Sequence, residues 1–206
     1  MQQEPRTILV FDTETSGLPK RAGFEKLMPA WDIKSYDTCR VIQLAWGVYN
    51  QDGYMIRKKS LYIKPDGFTL NDASANSVHN ITMDKLLAEG VPIRQALREF
   101  ERELGLAGIV VGHNVRFDVH ALASEAWRLG LTDLAAAIEG APVHCTMRLA
   151  KNFCGARGQY GIKFPRLAEL FNKLYGADPP VQHDAMADVE ATAACYFKLR
   201  YLEILL

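Results

Sequence analysis

Thr7-Ile8-Leu9-Val10-Phe11-Asp12-Thr13-Glu14-Thr15-Ser16-Gly17 joins an unbroken apolar run to a pair of carboxylates. A run such as Ile8 to Phe11 suits a strand buried on both faces. Side chains at i and i+2 of a strand share a face. Asp12 and Glu14 therefore stand side by side where the strand leaves the core. Two like charges held that close raise one another's pKa unless a cation sits between them. A hard divalent cation such as Mg²⁺ prefers these oxygen ligands. A strand that simply ends in polar loop residues is the weaker reading of the stretch, and the rest of the chain has to decide.

Downstream of Gly17, the turn signal Leu18-Pro19-Lys20-Arg21-Ala22-Gly23 opens a long loop over residues 19–39. Arg40 to Asn50 reads as a second strand. Asn50-Gln51-Asp52-Gly53 is a hairpin turn, and Tyr54 to Lys64 answers as the third strand. Asn71 to Val78 suggests a short helix or turn. Thr82 is placed to cap a helix from Met83 to Glu89, and Pro92 to open another that runs to about Leu104. Ile109 to Val111 forms a fourth strand. Val115 to Leu129 is an amphipathic helix, with Asp118 one turn inside it. Val143 to Thr146 reads as a fifth strand, followed by a helix from Met147 to Phe153 and a glycine-rich loop over 154–165. Phe164 to Tyr175 and Asp184 to about Ile204 are helical, separated by Asp178-Pro179-Pro180. An early hairpin followed by strand–helix alternation predicts one α/β domain over residues 1–206, with a mixed five-stranded sheet and helices on both faces.

Composition narrows the class. The chain has 206 residues, 49% of them hydrophobic, which is enough for a substantial core. Twenty-four basic residues balance 24 acidic ones, so no global field attracts nucleic acid and any such contact must be a local patch. The four cysteines Cys39, Cys145, Cys154 and Cys195 form no C-x-x-C pair, which argues against zinc. No run approaches a membrane span, and the Met-Gln-Gln-Glu-Pro-Arg start lacks the apolar core of a signal peptide. The expectation is a cytoplasmic protein with reduced thiols and no membrane partner.

Two further pieces fit the acidic pair. His113-Asn114-x-x-Phe117-Asp118 opens the helix after the fourth strand, and His183-x-x-x-x-Asp188 opens the last long helix. Ligands in open α/β sheets gather at strand ends and helix starts, so Asp12, Glu14, Asp118 and Asp188 are expected to converge. Taken singly, an Asp near a helix start is usually a favourable dipole interaction. The order and element boundaries of the whole set make coincidence a poor account.

These three motifs, Asp12-Thr13-Glu14-Thr15-Ser16-Gly17, His113-Asn114-Val115-Arg116-Phe117-Asp118 and His183-Asp184-Ala185-Met186-Ala187-Asp188, resemble those of the DEDDh 3′–5′ exonuclease family, also called DnaQ-like, whose fold is ribonuclease-H-like. The resemblance runs from about Ile8 to Leu199. Val78-His79-Asn80-Ile81-Thr82, Cys145-Thr146-Met147-Arg148-Leu149-Ala150 and Phe164-Pro165-Arg166-Leu167-Ala168-Glu169-Leu170 agree with it. Within the family the chain is most similar to proofreading subunits of bacterial replicative polymerases and their free-standing relatives. It departs from the pattern at Asn80, where Gly is common, at Cys145, where Asp is common, and in the length of loop 19–39.

The resemblance implies phosphodiester hydrolysis with two Mg²⁺ or Mn²⁺ ions, in which such ions lie about 4 Å apart. It implies that Asp12, Glu14 and Asp188 hold one ion, that Asp12 and Asp118 hold the other, and that His183 is the general base. Thr15, Leu18, His79, Asn114 and Phe117 would grip the 3′-terminal nucleotide. Lys151, Arg157, Lys163 and Arg166, in a stretch without acids, suggest a contact to upstream phosphates, with Arg157 and Lys163 at its centre. The expected partner is the 3′ end of single-stranded DNA, in replication proofreading or repair, and possible company is a DNA polymerase subunit. RNA 3′ ends are the alternative substrate, because nothing here reads the 2′ position. An idle nucleic-acid-binding subunit on the same fold is the weaker alternative.

Overall fold

The computed structural model describes residues 6–23, 26–70, 81–180 and 184–205. Five strands form the main sheet: β1 (Thr7–Thr15), β2 (Val41–Tyr49), β3 (Met55–Tyr62), β4 (Ala107–Gly112) and β5 (Val143–Cys145), in the order β3-β2-β1-β4-β5. β1 pairs antiparallel with β2, from Ile8 opposite Tyr49 to Glu14 opposite Gln43, and parallel with β4. β3 is antiparallel to β2, and β5 parallel to β4. The sheet is thus mixed and five-stranded, as the hairpin and the later alternation imply.

Side-chain alternation along β1 divides the core. Ile8 and Val10 face Ala45, Tyr49 and Val111, under a long C-terminal helix that brings Ala185, Val189, Ala193 and Tyr196. Leu9 and Phe11 face the opposite way, with Leu44, Trp46 and Val48, against helices that bring Phe100, Val119 and Leu122. Both faces are therefore covered, and every residue of β2 is buried. The helices are α1 (Met83–Glu89), α2 (Ile93–Leu106), α3 (Arg116–Arg128), α4 (Thr132–Gly140), α5 (Leu167–Tyr175) and α6 (Ala185–Tyr201), with single helical turns at Thr146–Leu149 and Lys151–Cys154. Thr82 caps α1, its hydroxyl accepting from the Lys85 N–H at 3.2 Å. Ile93, Ala96, Leu97 and Phe100 bury the apolar face of α2, the stripe that the sequence spacing marks out.

Several segments differ from expectation. α4 is a helix that periodicity does not single out. Its buried residues Leu134, Ala135 and Ile138 lie among further alanines, so the polar contrast that reveals a helix face is weak. The single helix expected over 147–153 is two turns broken at Ala150, and Gly155 ends the second in the left-handed region at φ 62°. Loop 19–39 is not featureless. It holds a small ribbon (Arg21–Gly23 with Lys26–Leu27) and a 3₁₀ turn (Ile33–Tyr36). Tyr36 buries its ring and donates its hydroxyl to the Met28 carbonyl at 2.6 Å. The glycine loop forms a second ribbon, Arg157–Gly158 with Gly161–Ile162. α5 begins at Leu167 rather than Phe164, because the Glu169 carboxylate accepts from the Arg166 N–H at 2.8 Å and sets the start there. The turn expected at 71–78 lies outside the described residues.

All four cysteines are free thiols, and three of them, Cys39, Cys145 and Cys195, are buried. Cys145 packs in the core, in keeping with a packing role. Near the C-terminus, Ile204 and Leu205 pack on the body, while Leu202 stays 42% exposed. Among the described residues no helix is long and apolar enough to cross a membrane.

Candidate active site

The acidic site forms where β1 leaves the core. Asp12 and Glu14 continue the Ile8–Val10 side of the strand, so they face α6. The first turn of α6 brings Asp188 to them. Carboxylate oxygens of Asp12, Glu14 and Asp188 lie within 4.8 Å of one another. Asp118 arrives from the other face of the sheet. It sits in the first turn of α3 and is 3% exposed. Its Oδ1 accepts from the Thr13 N–H at 3.1 Å and from the Thr13 hydroxyl at 2.7 Å. The residue between the two acids of β1 therefore points away from them and holds the fourth.

Local chemistry explains both helix starts. The tight turn from β4 into α3 needs Gly112, where a Cβ would stand 2.8 Å from the Val115 side chain. Asn114 follows at φ 63°, a conformation that Asn tolerates better than most residues, and its carbonyl accepts from the Phe117 N–H at 2.9 Å. His113 anchors the turn. Its Nε2 lies 3.0 Å from the Pro165 carbonyl, and its Nδ1 lies 2.9 Å from the Thr146 hydroxyl. Burial pushes His113 down to about 4, so it is a neutral brace at ordinary pH.

At α6, Asp184 Oδ1 accepts from the Met186 and Ala187 N–H groups, both at 3.1 Å. Its Oδ2 accepts from Gln43 Nε2 at 3.0 Å. Gln43 is 1% exposed and lies opposite Glu14. Sequence reading missed Gln43, Asp184 and Thr13 as positioning residues. The available signal was Gln43 itself, a polar residue inside an apolar strand buried on both faces.

The carboxylates act on one another. Burial, and then the charges of Asp118, Asp188, Glu14 and Asp184, push Asp12 well above the usual carboxylate range. Burial and Asp188, Asp118 and Asp184 push Glu14 up to about 8. Burial raises Asp118 to about 7 against the opposing hydrogen bonds from Thr13. Desolvated, mutually repelling oxygen donors are the donor set that suits a hard divalent cation, whose charge would reverse these shifts. The residues present fit Mg²⁺ or Mn²⁺. Thr13→Val keeps the β-branched shape but removes one of the two donors on Asp118. It is expected to cost about 10–100-fold in metal affinity or activity, read as the Mg²⁺ concentration for half-maximal effect.

A cleft of about 900 Å³ runs from Asp188 past His113 and Asn114 to Phe164 and Glu169. A smaller recess of about 230 Å³ shares Asn114, Met147 and Phe164 with it and adds Arg21, Arg116, Arg148 and Phe117. Among the described residues no carboxylate lines this recess. Arg148 and Lys151 both stand over the Phe164 ring, at 5.4 and 4.6 Å from its centroid.

Phe117 is half-buried at this recess and also touches the core. Leu18 is 64% exposed. The Thr15 hydroxyl donates to the Gly17 carbonyl at 2.9 Å. Gly17 itself packs where a Cβ would lie 2.7 Å from the Thr38 carbonyl oxygen. Arg157 is exposed on its ribbon. Lys163 is differently placed than an open phosphate contact requires. Its Nζ lies 2.6 and 2.7 Å from the Glu169 carboxylate oxygens, and that carboxyl is held at about 2. The stretch 151–166 has no acid of its own, but the next helix supplies one. His79 and His183 lie outside the described residues.

Comparison with known proteins agrees with this architecture. The family described as Exonuclease (RNase_T) matches residues 9–196. DNA polymerase III PolC-type from Staphylococcus saprophyticus is 29% identical over 202 residues, 97% of this chain and 12% of that protein. The Staphylococcus aureus PolC-type enzyme is 29% identical over 193 residues, covering 94% and 11%. Among solved structures, E. coli Exonuclease I in complex with a dA16 oligonucleotide superposes with a TM-score of 0.72 at 21% identity, over 95% of this chain and 41% of that one. Another Exonuclease I structure gives 0.73 at 22% identity. The chain thus spans a small part of its PolC relatives and less than half of Exonuclease I, and within that span the three motifs and the mixed sheet coincide with the matched region: the chain belongs to the RNase_T, or DEDD, family of 3′–5′ exonuclease domains.

Proposed function

We propose that this chain is a metal-dependent 3′–5′ exonuclease that shortens single-stranded DNA from its 3′ end, releases nucleoside 5′-monophosphates and serves replication proofreading or repair. The observation that carries the reading is the gathering of Asp12, Glu14 and Asp188 within 4.8 Å, with Asp118 fixed beside them from the opposite face of the sheet. Asp12, Glu14 and Asp188 would hold one divalent ion, and Asp12 and Asp118 a second. Bound there, the ions supply Lewis-acid charge to the attacking and leaving oxygens of an in-line displacement.

The protein's own groups do the rest. His183, next to the α6 cap Asp184, takes the proton of the attacking water. His183→Ala is expected to keep metal and substrate binding and to lose turnover; near-wild-type turnover removes it from this role. Leu18, Phe117 and His79, with Thr15 and Asn114, grip the terminal nucleotide by apolar contact that does not read sequence. Arg116, Arg148 and Lys151 around Phe164, with Arg157, hold the phosphates behind it. Neutralising Arg116 and Arg148 is expected to lower the salt slope of single-strand binding by about 1.4, at about 0.7 per phosphate contact. Neutralising Lys163 is expected to loosen the start of α5 instead, because its charge is spent on Glu169.

The Exonuclease I structures hold single-stranded oligonucleotides, and the PolC relatives are named as DNA polymerases, which supports DNA as the substrate. The deciding experiment incubates 5′-labelled DNA and RNA of one sequence with Mg²⁺, Mn²⁺ or chelator, beside Asp12→Ala. A metal-dependent ladder shortening from the 3′ end, stronger on DNA and absent in the variant, is the expected result. No cleavage of either strand overturns the reading, and preferential RNA cleavage overturns the substrate class.

A further inference from the structure

α2 carries Arg94, Arg98 and Arg102 at four-residue intervals. That spacing stacks them on one helix face, about 6 Å apart along the axis. Like charges so placed weaken a helix. All three are exposed. Arg94 reaches the Leu129 carbonyl at 3.4 Å, while Arg98 and Arg102 make no hydrogen bond or ion pair among the described residues.

The three arginines border a groove of about 560 Å³ between α2 and the edge strand β3, with Trp46 at its floor. Six cations and two carboxylates line it. Both carboxylates are already satisfied from the strand side, Glu103 by Arg57 at 2.5 Å and Glu99 by Lys59 at 3.3 Å. The ladder therefore remains a local surplus of positive charge on a chain whose net charge is zero. A charge arrangement that costs helix stability and, among the described residues, brings no ion pair and only the one long hydrogen bond of Arg94 is the kind of local conflict that marks a binding surface.

We infer that this groove is a second nucleic-acid site, in which the arginine ladder holds successive phosphates of the strand portion that does not enter the catalytic cleft. A guanidinium fork matches two phosphate oxygens at once. A repeat of about 6 Å along α2 is close to the step between neighbouring phosphates of an extended strand. The concave shape suits a strand and not a flat membrane surface. Preferring a nucleic acid to an acidic protein segment rests on the exonuclease reading, which brings such a strand to this chain.

The test measures binding in chelator, so it does not depend on turnover. Fluorescence anisotropy would follow one single-stranded probe of about 30 nucleotides, several binding sites long, and one of about 4, enough for the cleft alone. The variant is the triple change Arg94→Gln, Arg98→Gln and Arg102→Gln, which keeps helix propensity. The long probe is expected to lose about tenfold in affinity near 0.1 M salt and about 2 units of salt slope, with the short probe unchanged. Replacing the same three arginines by Lys is expected to keep most of the slope. An unchanged slope on the long probe overturns the site, including the case in which the groove takes an acidic protein. Equal losses on both probes would also overturn it, since the ladder would then act on the cleft. Failure of the exonuclease reading would appear separately, as absence of the metal-dependent ladder in the wild-type chain.

Discussion

Asp12→Asn is expected to raise the stability of the metal-free protein while abolishing turnover. Asp12 is pushed up by burial and by four neighbouring carboxylates. Removing its charge relieves that repulsion but deletes a ligand from the Asp12–Glu14–Asp188 set. Metal stabilisation of charge in the transition state is worth several kcal/mol, and each 1.36 kcal/mol is tenfold in rate, so activity falls by on the order of 10³-fold or more. The thermal midpoint of the metal-free variant should lie above wild type, and its response to Mg²⁺ should be lost. A variant that is less stable without metal, or still stabilised by it, contradicts the acidic site as described.

The same cluster sets a pH dependence. Glu14 is raised from 4.5 to about 8 and Asp118 from 3.8 to about 7 on folding. A carboxyl with a raised folded-state pKa binds more protons folded than unfolded, so stability falls as pH rises between the two values. The metal-free protein should therefore be more stable near pH 5 than near pH 8. Mg²⁺ should stabilise it much more at the higher pH, because the ligands must be deprotonated to bind. Thermal melts in chelator and in Mg²⁺ across this range check the sign. Stability that rises steadily from pH 5 to 8 in chelator would show that these carboxyls are not raised.

The second large effect is expected at a pair that supplies no metal ligand. Arg40 and Glu125 form a buried ion pair, their side chains 9% and 2% exposed. The guanidinium donates from Nε at 2.8 Å and Nη2 at 3.0 Å to the two carboxylate oxygens, and its Nη1 donates to the Asp66 carbonyl. Glu125 Oε1 also accepts from the Val41 N–H at 3.1 Å. Arg40 lies over the Phe68 ring, 4.6 Å from its centroid. Glu125→Ala leaves a buried guanidinium without its partner and orphans a backbone donor. The expected loss is about 3–5 kcal/mol, or roughly 10 °C in the thermal midpoint of a chain of this size.

This pair also steadies the loop after β1. The Arg40 N–H donates to Ser16 Oγ at 2.9 Å, and the Ser16 N–H donates to the Arg40 carbonyl at 2.8 Å. Loss of the pair should therefore weaken substrate binding as well as stability. The exposed pairs Arg57–Glu103 and Lys58–Glu190 should each contribute about 1 kcal/mol or less. A Glu125→Ala protein as stable as wild type would mean that helix α3 is held to β2 by apolar packing alone.

Much of this architecture is written in local pattern. The apolar run into Asp12 and Glu14 specifies a buried strand with both acids on one side. The spacing of Ile93, Ala96, Leu97 and Phe100 specifies which face of α2 is buried, and Thr82 and Gly90 mark the ends of α1. These readings succeed because the period of 2 or 3.6 residues and the capping chemistry act over a few residues. α4 escaped because a run of alanines has no polar face to contrast with.

By itself, then, the sequence determined the mixed sheet, the motif order and the candidate ligands, all of which follow from short-range stereochemistry. Only the tertiary structure decided that Asp188 joins Asp12 and Glu14 on one face while Asp118 comes from the other and is turned onto Thr13. It also decided that Lys163 is spent on Glu169, that Gln43 ties the start of α6 to β2, and that α2 presents an arginine ladder beside β3 without an ion pair among the described residues. These depend on strand register and on how helices pack across the sheet. Contacts between residues distant in the chain are fixed by the burial of whole faces, and no local pattern encodes which polar groups that burial brings together.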